Sequence, residues 1–396
     1  MKKFEFRSLF SGLVPLFVLA HFAHHLLTAL PTPILPFIRE EFSLDYTRSG
    51  LVSSAFSLAY GIGQLPAGWL ADRYGARIMI TIGICGVALA GVLVGFSHTY
   101  IMMICFLVLM GVTAGGYHPS APPLISSSVE PKNRNRSLGL HAVGGSASFF
   151  LVPLIGAAIA SSWGWRYSFI GLAIPTMIFG IILFSVLGRS APPDKAESGI
   201  TDINGNISSH SSRWRNLVSF MSLSFSTQAV SFSLMPFIVL YMVDYFGLSK
   251  ETAASFIALT YSCGLWAGPL GGFLADHYGR ISVLLVVCFC AGPVIYLFNL
   301  VPYGFGFAVL LIALGVILYI RLPISESYLI SHTEPHNRST ILGIYYFASM
   351  EGSGIITPVF GYITDKFGFH TMFTIAGISL FVVTLICAFF LRGSKD

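Results

Sequence analysis

Along this chain apolar residues come in long runs and polar residues in short breaks. Runs of about 20 mostly apolar residues, the length a helix needs to cross a bilayer, start near Leu9, Gly50, Ile78, Tyr100, Leu138, Tyr167, Leu217, Thr252, Ser282, Gly304, Ile341 and Met372. The pattern predicts twelve transmembrane helices. A closed β-barrel, the other structure that satisfies every backbone group in lipid, would show alternation over about ten residues per strand instead of continuous runs. The expected class is therefore all-α integral membrane, with the lipid bilayer as its surroundings.

Composition agrees with that pattern. Of 396 residues, 55% are hydrophobic and 10% charged, where soluble domains carry roughly 25% charged residues. Lys2, Lys3 and Arg7 precede the first run as in a secretory leader. No small-residue cleavage site follows and the run is too long, so it reads as an uncleaved first helix. Cys85, Cys105, Cys263, Cys288, Cys290 and Cys387 all fall inside predicted spans without metal-type spacing, and read as core packing.

The net charge of +5 is distributed unevenly. Sixteen of the 22 Lys and Arg residues fall in breaks on one side of the predicted topology, among them Arg73, Arg77, Lys132, Arg134, Arg136, Arg280 and Arg338. Five, Arg39, Arg48, Arg166, Lys250 and Lys366, fall on the other. The more basic side is expected to be cytoplasmic. That places both termini and the central linker in the cytoplasm, for a multi-pass protein of the bacterial inner (cytoplasmic) membrane. The basic balance reports topology, and no nucleic-acid partner is needed to explain it.

The chain also repeats itself at an offset of 204 residues. GWLADRYGAR at 68–77 returns in GGFLADHYGR at 271–280, with Gly68 matching Gly272, EPKNR at 130–134 returns as EPHNR at 334–338, and Pro119 as Pro323. Between the copies lies a segment rich in Ser, Pro and Gly, SAPPDKAESGITDINGNISSHSS, composed as a linker. The expected organisation is a six-helix half over 1–188, a cytoplasmic linker over 189–214 and a second six-helix half over 215–396. Two parallel six-helix repeats enclose a central cavity near the midplane.

These residues resemble a known family. GWLADRYGAR is similar to the loop between helices 2 and 3 of the major facilitator superfamily, and its copy in the second half strengthens the likeness, to which Asp365-Lys366-Phe367-Gly368 adds a little. The resemblance implies a major facilitator fold. It also implies a cytoplasmic gate at Asp72, Arg73, Gly75, Asp276, Gly279 and Arg280, with Arg134 and Arg338 as partners of the carboxylates. More narrowly, His21, Tyr117-His118-Pro119 and Gly144-Gly145 resemble the fosmidomycin-resistance branch of proton-coupled exporters. The chain departs from that branch at His24-His25 and at Val152-Pro153.

Ionisable residues inside a bilayer are costly and point to cavities or partners. His21, His24 and His25 share one helix face by their i, i+3, i+4 spacing. Three readings stay open for them: a cavity lining that relays protons or meets an anion, hydrogen-bonded packing, or a metal site. For the last, no acidic or cysteine partner lies nearby in sequence, and no metal ligands are assigned. His118 follows Gly115-Gly116 and precedes Pro119, where freed carbonyls can meet a solute. Arg321 is the one cation placed well inside a span, and it should pair with an acidic side chain or a bound anion. Glu326 lies about 140° round the helix from it. Glu351 is the deepest acidic residue, a candidate proton carrier or a permanent partner of Arg321. Tyr60, Tyr117, Tyr261, Tyr345 and Tyr346 are candidate cavity aromatics.

The expectation is a secondary transporter that moves a small organic solute by alternating access, coupled to protons. Export by antiport is the first reading, and proton symport of a small organic anion the alternative. Nothing resembling a nucleotide-binding Walker sequence, a nucleophile elbow or a metalloprotease spacing is visible, so neither an enzyme nor a cofactor is expected. The expected partners are a small-molecule solute and protons, and the expected state is a monomer.

Overall fold

The computed structural model describes residues 13–130, 133–190, 210–332 and 338–392. Twelve helical rods are found among them, numbered α1 to α12. In the first half they are α1 (Val14–Thr28, resumed at Leu35–Phe42), α2 (Tyr46–Tyr74), α3 (Ala76–Gly95), α4 (Tyr100–Ala114, resumed at Ala121–Ser127), α5 (Arg134–Trp163) and α6 (Trp165–Ser190). In the second they are α7 (His210–Asp244), α8 (Lys250–Ser262, resumed at Ala267–Tyr278), α9 (Arg280–Leu297), α10 (Phe305–His332), α11 (338–367) and α12 (369–391).

The interruptions have local causes. α1 stops where Pro31 and Pro33 remove backbone donors and disfavour the helical region before them. α4 stops at Gly115-Gly116 and resumes beyond Pro119, which leaves Tyr117 and His118 in an irregular turn. α8 bends by 44° at a short 3₁₀ turn. α3 contains a π-helical stretch, Ile82–Gly86, a deformation often found beside functional sites.

By length and hydropathy alone, seven of the helices can cross a bilayer, or eight if the bent α8 counts as one span. The hydropathy pattern of the chain predicts twelve. α1 and α4 fall short because glycine and proline cut them, α2 because Ser53, Ser54, Ser57, Tyr60 and Gln64 make it polar, and α11 with α12 count once because they run on through Gly368.

The 204-residue offset is visible in the backbone. Gly75 (φ 92°, ψ 141°) and Gly279 (φ 86°, ψ 143°) end α2 and α8 in the same left-handed turn, a region in which a side chain is strained. Gly164 and Gly368, also 204 apart, share positive φ of 95° and 80°. Asp45 and Ser249 cap α2 and α8 by accepting from the backbone N–H of Arg48 and Thr252.

The halves meet through α2 against α11 and α5 against α8. The Ser54 hydroxyl donates to the Gly354 carbonyl across the first contact at 2.5 Å, and the rings of Phe149 and Tyr261 meet across the second at 5.4 Å. Residues 191–209, most of the expected linker, lie outside the described residues, as do Lys2, Lys3, Arg7 and Lys132. Cys263, Cys288 and Cys387 are buried, but Cys105 and Cys290 are exposed on helix surfaces. This corrects the expectation that all six pack in the core. The outer face of a membrane helix is as apolar as its core, so hydropathy alone does not tell the two faces apart.

Candidate functional site

The three histidines of α1 converge with two from other helices. Rings of His21 and His25 lie 4.8 Å apart, His21 and His118 5.1 Å, and His21 stacks on His141 of α5 at 4.1 Å. His21 Nδ1–H donates to the His141 carbonyl at 2.8 Å, and His25 Nδ1 meets the Thr28 hydroxyl at 2.8 Å. The Nε2 atoms of His21 and His25 face each other at 3.1 Å. His24 Nδ1–H donates to the Gly83 carbonyl inside the π-helical stretch of α3, at 3.0 Å. Its Nε2 is buried without a hydrogen-bond partner among the described residues, as is the hydroxyl of Tyr60. His118 is the half-buried member of an otherwise buried group. Of the three readings for the α1 histidines, simple packing leaves these orphaned polar atoms without an account.

The second cluster surrounds Arg321 on α10. Its side chain is 1% exposed, and its partners are neutral: Ser224 and Gln228 of α7 and Tyr345 of α11. Tyr345 also bonds Ser224 at 3.0 Å. Neither Glu326 nor Glu351 forms an ion pair with the guanidinium among the described residues, so of the two partners expected for Arg321, an acidic side chain or a bound anion, no acidic side chain is found. Glu326 is half-buried further along α10. Glu351 stands against the backbone of Ile62 on α2, with Oε1 buried and without a hydrogen-bond partner. The physical reason is direction: Arg321 points to α7 and to Tyr345, whereas Glu351 lies at the seam with the other half. Hydrogen bonds from a charged group contribute about 1.5–3 kcal/mol each and offset part of a desolvation cost of several kcal/mol. Arg321 has no ion pair among the described residues, and its Nε–H has no partner among them.

The two clusters are copies of one another. Tyr117 corresponds to Arg321, His141 to Tyr345 and His24 to Gln228 at the 204-residue offset. Tyr117 bonds His141 Nε2 at 3.0 Å as Arg321 bonds Tyr345. Pairing Ser224, Gln228 and Tyr345 with Arg321 was beyond the sequence reading, and so was the part played by His141. For His141 the signal was present, because it aligns with Tyr345.

The profile of the Major Facilitator Superfamily matches residues 17–234 and 220–396. The chain belongs to the Major Facilitator Superfamily. It is 26% identical over 368 residues to the hexuronate transporter of Bacillus subtilis (strain 168), covering 86% of this chain and 85% of that one. It is also 26% identical over 360 residues to the multidrug resistance protein MdtG of Proteus mirabilis (strain HI4320), covering 87% of each. Its fold is similar to a bacterial homologue of the human lysosomal transporter Spinster, solved in an inward-facing and occupied conformation. The TM-score is 0.75 at 18% identity, over 96% of this chain and 95% of that one. The protein is thus a multi-pass secondary transporter of the major facilitator type for a small-molecule solute, and not an enzyme.

In this facilitator the halves are clasped at the end where α1 leads into α2. Arg39 pairs with Asp244 at 2.7 Å, Lys250 pairs with Glu40, and the Tyr46 hydroxyl donates to Asp244 at 2.9 Å. Asp365, at the end of α11, accepts from the backbone N–H groups of Tyr46 and Thr47, both at 2.8 Å. It thereby caps α2 of the other half. Partly exposed ion pairs contribute about 0.2–1 kcal/mol each, a clasp weak enough to be opened by a solute.

At the opposite end the motif residues keep within their own halves. Arg134 donates to the Ser126 carbonyl at 2.9 Å, Arg280 bonds Ser331, and Arg73 lies over the rings of Trp69 and Tyr74. Asp72 and Asp276 are exposed and make no ion pair among the described residues. The side chain of Arg338, like that of Tyr346, lies outside the described residues.

Proposed function

We propose that this transporter carries a small organic anion, with Arg321 as its anchor. The observation that carries the reading is a guanidinium buried in the protein interior whose hydrogen-bond partners are the hydroxyls of Ser224 and Tyr345 and the amide of Gln228, with one N–H unpartnered among the described residues. A planar cation that shows N–H groups to one side matches a carboxylate or phosphonate in geometry and charge. Such a solute supplies the compensation that no side chain among the described residues supplies. The hexuronate transporter among its relatives is named for a carboxylate solute, which supports the reading.

We place solute uptake with protons first and assign the proton to Glu351, whose buried Oε1 lies at the α2–α11 seam that must part when the protein opens. His21, His24, His25, His118 and Glu326 complete the polar lining of the cavity between halves 1–188 and 215–396, which linker 189–214 joins. The basic end is cytoplasmic in this reading, so the clasp of Arg39, Asp244 and Asp365 closes the outer side. Asp72, Arg73, Gly75, Arg134, Asp276, Gly279, Arg280 and Arg338 form the inner gate, which engages when the protein turns outward.

The second reading is proton-coupled export of a drug, as the fosmidomycin-resistance likeness suggests. It is favoured by the equal identity to MdtG. Reconstituted vesicles decide between the two. With an inward proton gradient, accumulation of a labelled sugar acid or dicarboxylate, lost in Arg321→Gln, is the expected result. Indifference to every acid, with proton release on addition of drugs, would overturn it in favour of export.

A further inference from the structure

The geometry points to a transition-metal site in the first half, built by His21, His25 and His118. One ring nitrogen from each lies within 4.8 Å of the others. A zinc ion held by imidazole at roughly 2.0–2.1 Å requires ligand nitrogens about 3.3 Å apart in a tetrahedral shell. The Nε2 atoms of His21 and His25 already stand 3.1 Å apart. His118 needs only a small swing, and it sits in the irregular turn between Gly116 and Pro119 with its ring half-buried. The sequence offered three helix-spaced histidines, His21, His24 and His25, and no acidic or cysteine partner nearby. The break in α4 brings in a further histidine from 93 residues away (His25 to His118).

The hydrogen bonds behind the ligands suit a metal. His21 Nδ1 faces a carbonyl, which only accepts, so its proton is on Nδ1 and its Nε2 presents a lone pair to His25. His25 Nδ1 faces Thr28 Oγ1, and that hydroxyl can instead donate to the His24 carbonyl, 3.4 Å away. With Thr28 turned to His24, His25 carries its proton on Nδ1, and two lone pairs confront each other at Nε2. A divalent cation between them converts that repulsion into ligation. His21 and His25 then each donate the other ring N–H to an oxygen, the arrangement that fixes tautomer and orientation in metal sites. Without the metal, Thr28 donates to His25 Nδ1 and His25 Nε2–H donates to His21. Thr28 is a positioning residue for the exchange, which moves one proton within His25 and releases none.

Three imidazoles suit a cation of the zinc, cobalt or nickel type and leave a fourth position beside the half-exposed His118. The site depends on neither Arg321 nor the identity of the solute, so failure of the anion reading leaves it standing. The test is titration of tag-free, full-length protein in lipid nanodiscs with Co²⁺, read by its visible ligand-field bands, and with Zn²⁺, read by calorimetry. One tight equivalent is expected that disappears in His25→Ala. Thr28→Val should weaken it about 10–100-fold, and Thr28→Ser should restore it. His98, His277 and His370 are exposed, and what they bind cancels in the comparison. If His25→Ala does not fold, His118→Ala serves for the same comparison. Absence of a tight equivalent, or identical curves for the protein and its His and Thr28 variants, would overturn the site.

Discussion

Tyr117 and Arg321 occupy the same place in the two halves of the transporter, 204 residues apart, and each hydrogen-bonds the residue that corresponds to the other's partner, His141 and Tyr345. One repeat therefore yields two unlike polar centres. The first is rich in imidazole and neutral hydroxyls, and the second holds a fixed positive charge. The first half thus carries a group of imidazoles where the second carries a guanidinium.

Removing that cation should separate binding from folding. Arg321→Gln keeps a polar group among Ser224, Gln228 and Tyr345 but loses the charge. Carboxylate binding should weaken by about 1.5–3 kcal/mol, roughly 10–150-fold in Kd, while the protein stays monodisperse in detergent. Equal binding of acids by protein and variant, measured by calorimetry, would remove Arg321 from the site.

Tyr345→Phe tests the support of the same guanidinium. The loss of one acceptor leaves a buried N–H unsatisfied, at about 1–3 kcal/mol, and the thermal transition of the purified protein should fall accordingly. No change in that transition would mean that the hydroxyl is dispensable.

Gly145 lies against His21, and a methyl group added there would meet the ring at 2.5–2.9 Å. Gly145→Ala should displace His21 from His25 and destabilise the protein by about 1–3 kcal/mol through overpacking. Thermal melting with and without Zn²⁺ checks both effects, since the displaced ring should also abolish any rise in melting temperature on adding metal.

At the clasp, Asp365→Asn keeps the shape but removes the negative charge that caps α2 through Tyr46 and Thr47. The clasped end should open more often. A cysteine at position 54, buried against Gly354 in a background otherwise free of cysteine, should then react with an impermeant maleimide several-fold faster. An unchanged rate would show that Asp365 does not hold the halves together.

Gly75→Ala and Gly279→Ala probe the repeat itself. Both residues have φ near +90°, where a Cβ costs roughly 1–2 kcal/mol. Because the two turns are copies, the two losses in melting temperature should be similar; a large inequality would mean that one turn does more than reverse the chain.

The sequence by itself determined the helical membrane class and the duplication. Apolar runs of sufficient length have no other solution in lipid, and a motif returning at a constant offset implies a repeated backbone, as the paired glycine turns display. It also brought forward His21, His24, His25, His118, Arg321 and Glu351, because titratable groups are rare among apolar residues. What it lacked was direction and neighbours. Hydropathy does not say which way a helix is turned, so the sequence left Arg321 with either an acid or a bound anion as its partner and did not show that it stands among Ser224, Gln228 and Tyr345. His141 joined the histidine cluster only when α5 was packed against α1. Which side chains become partners depends on how each helix is rotated and where it breaks, and packing between helices settles both.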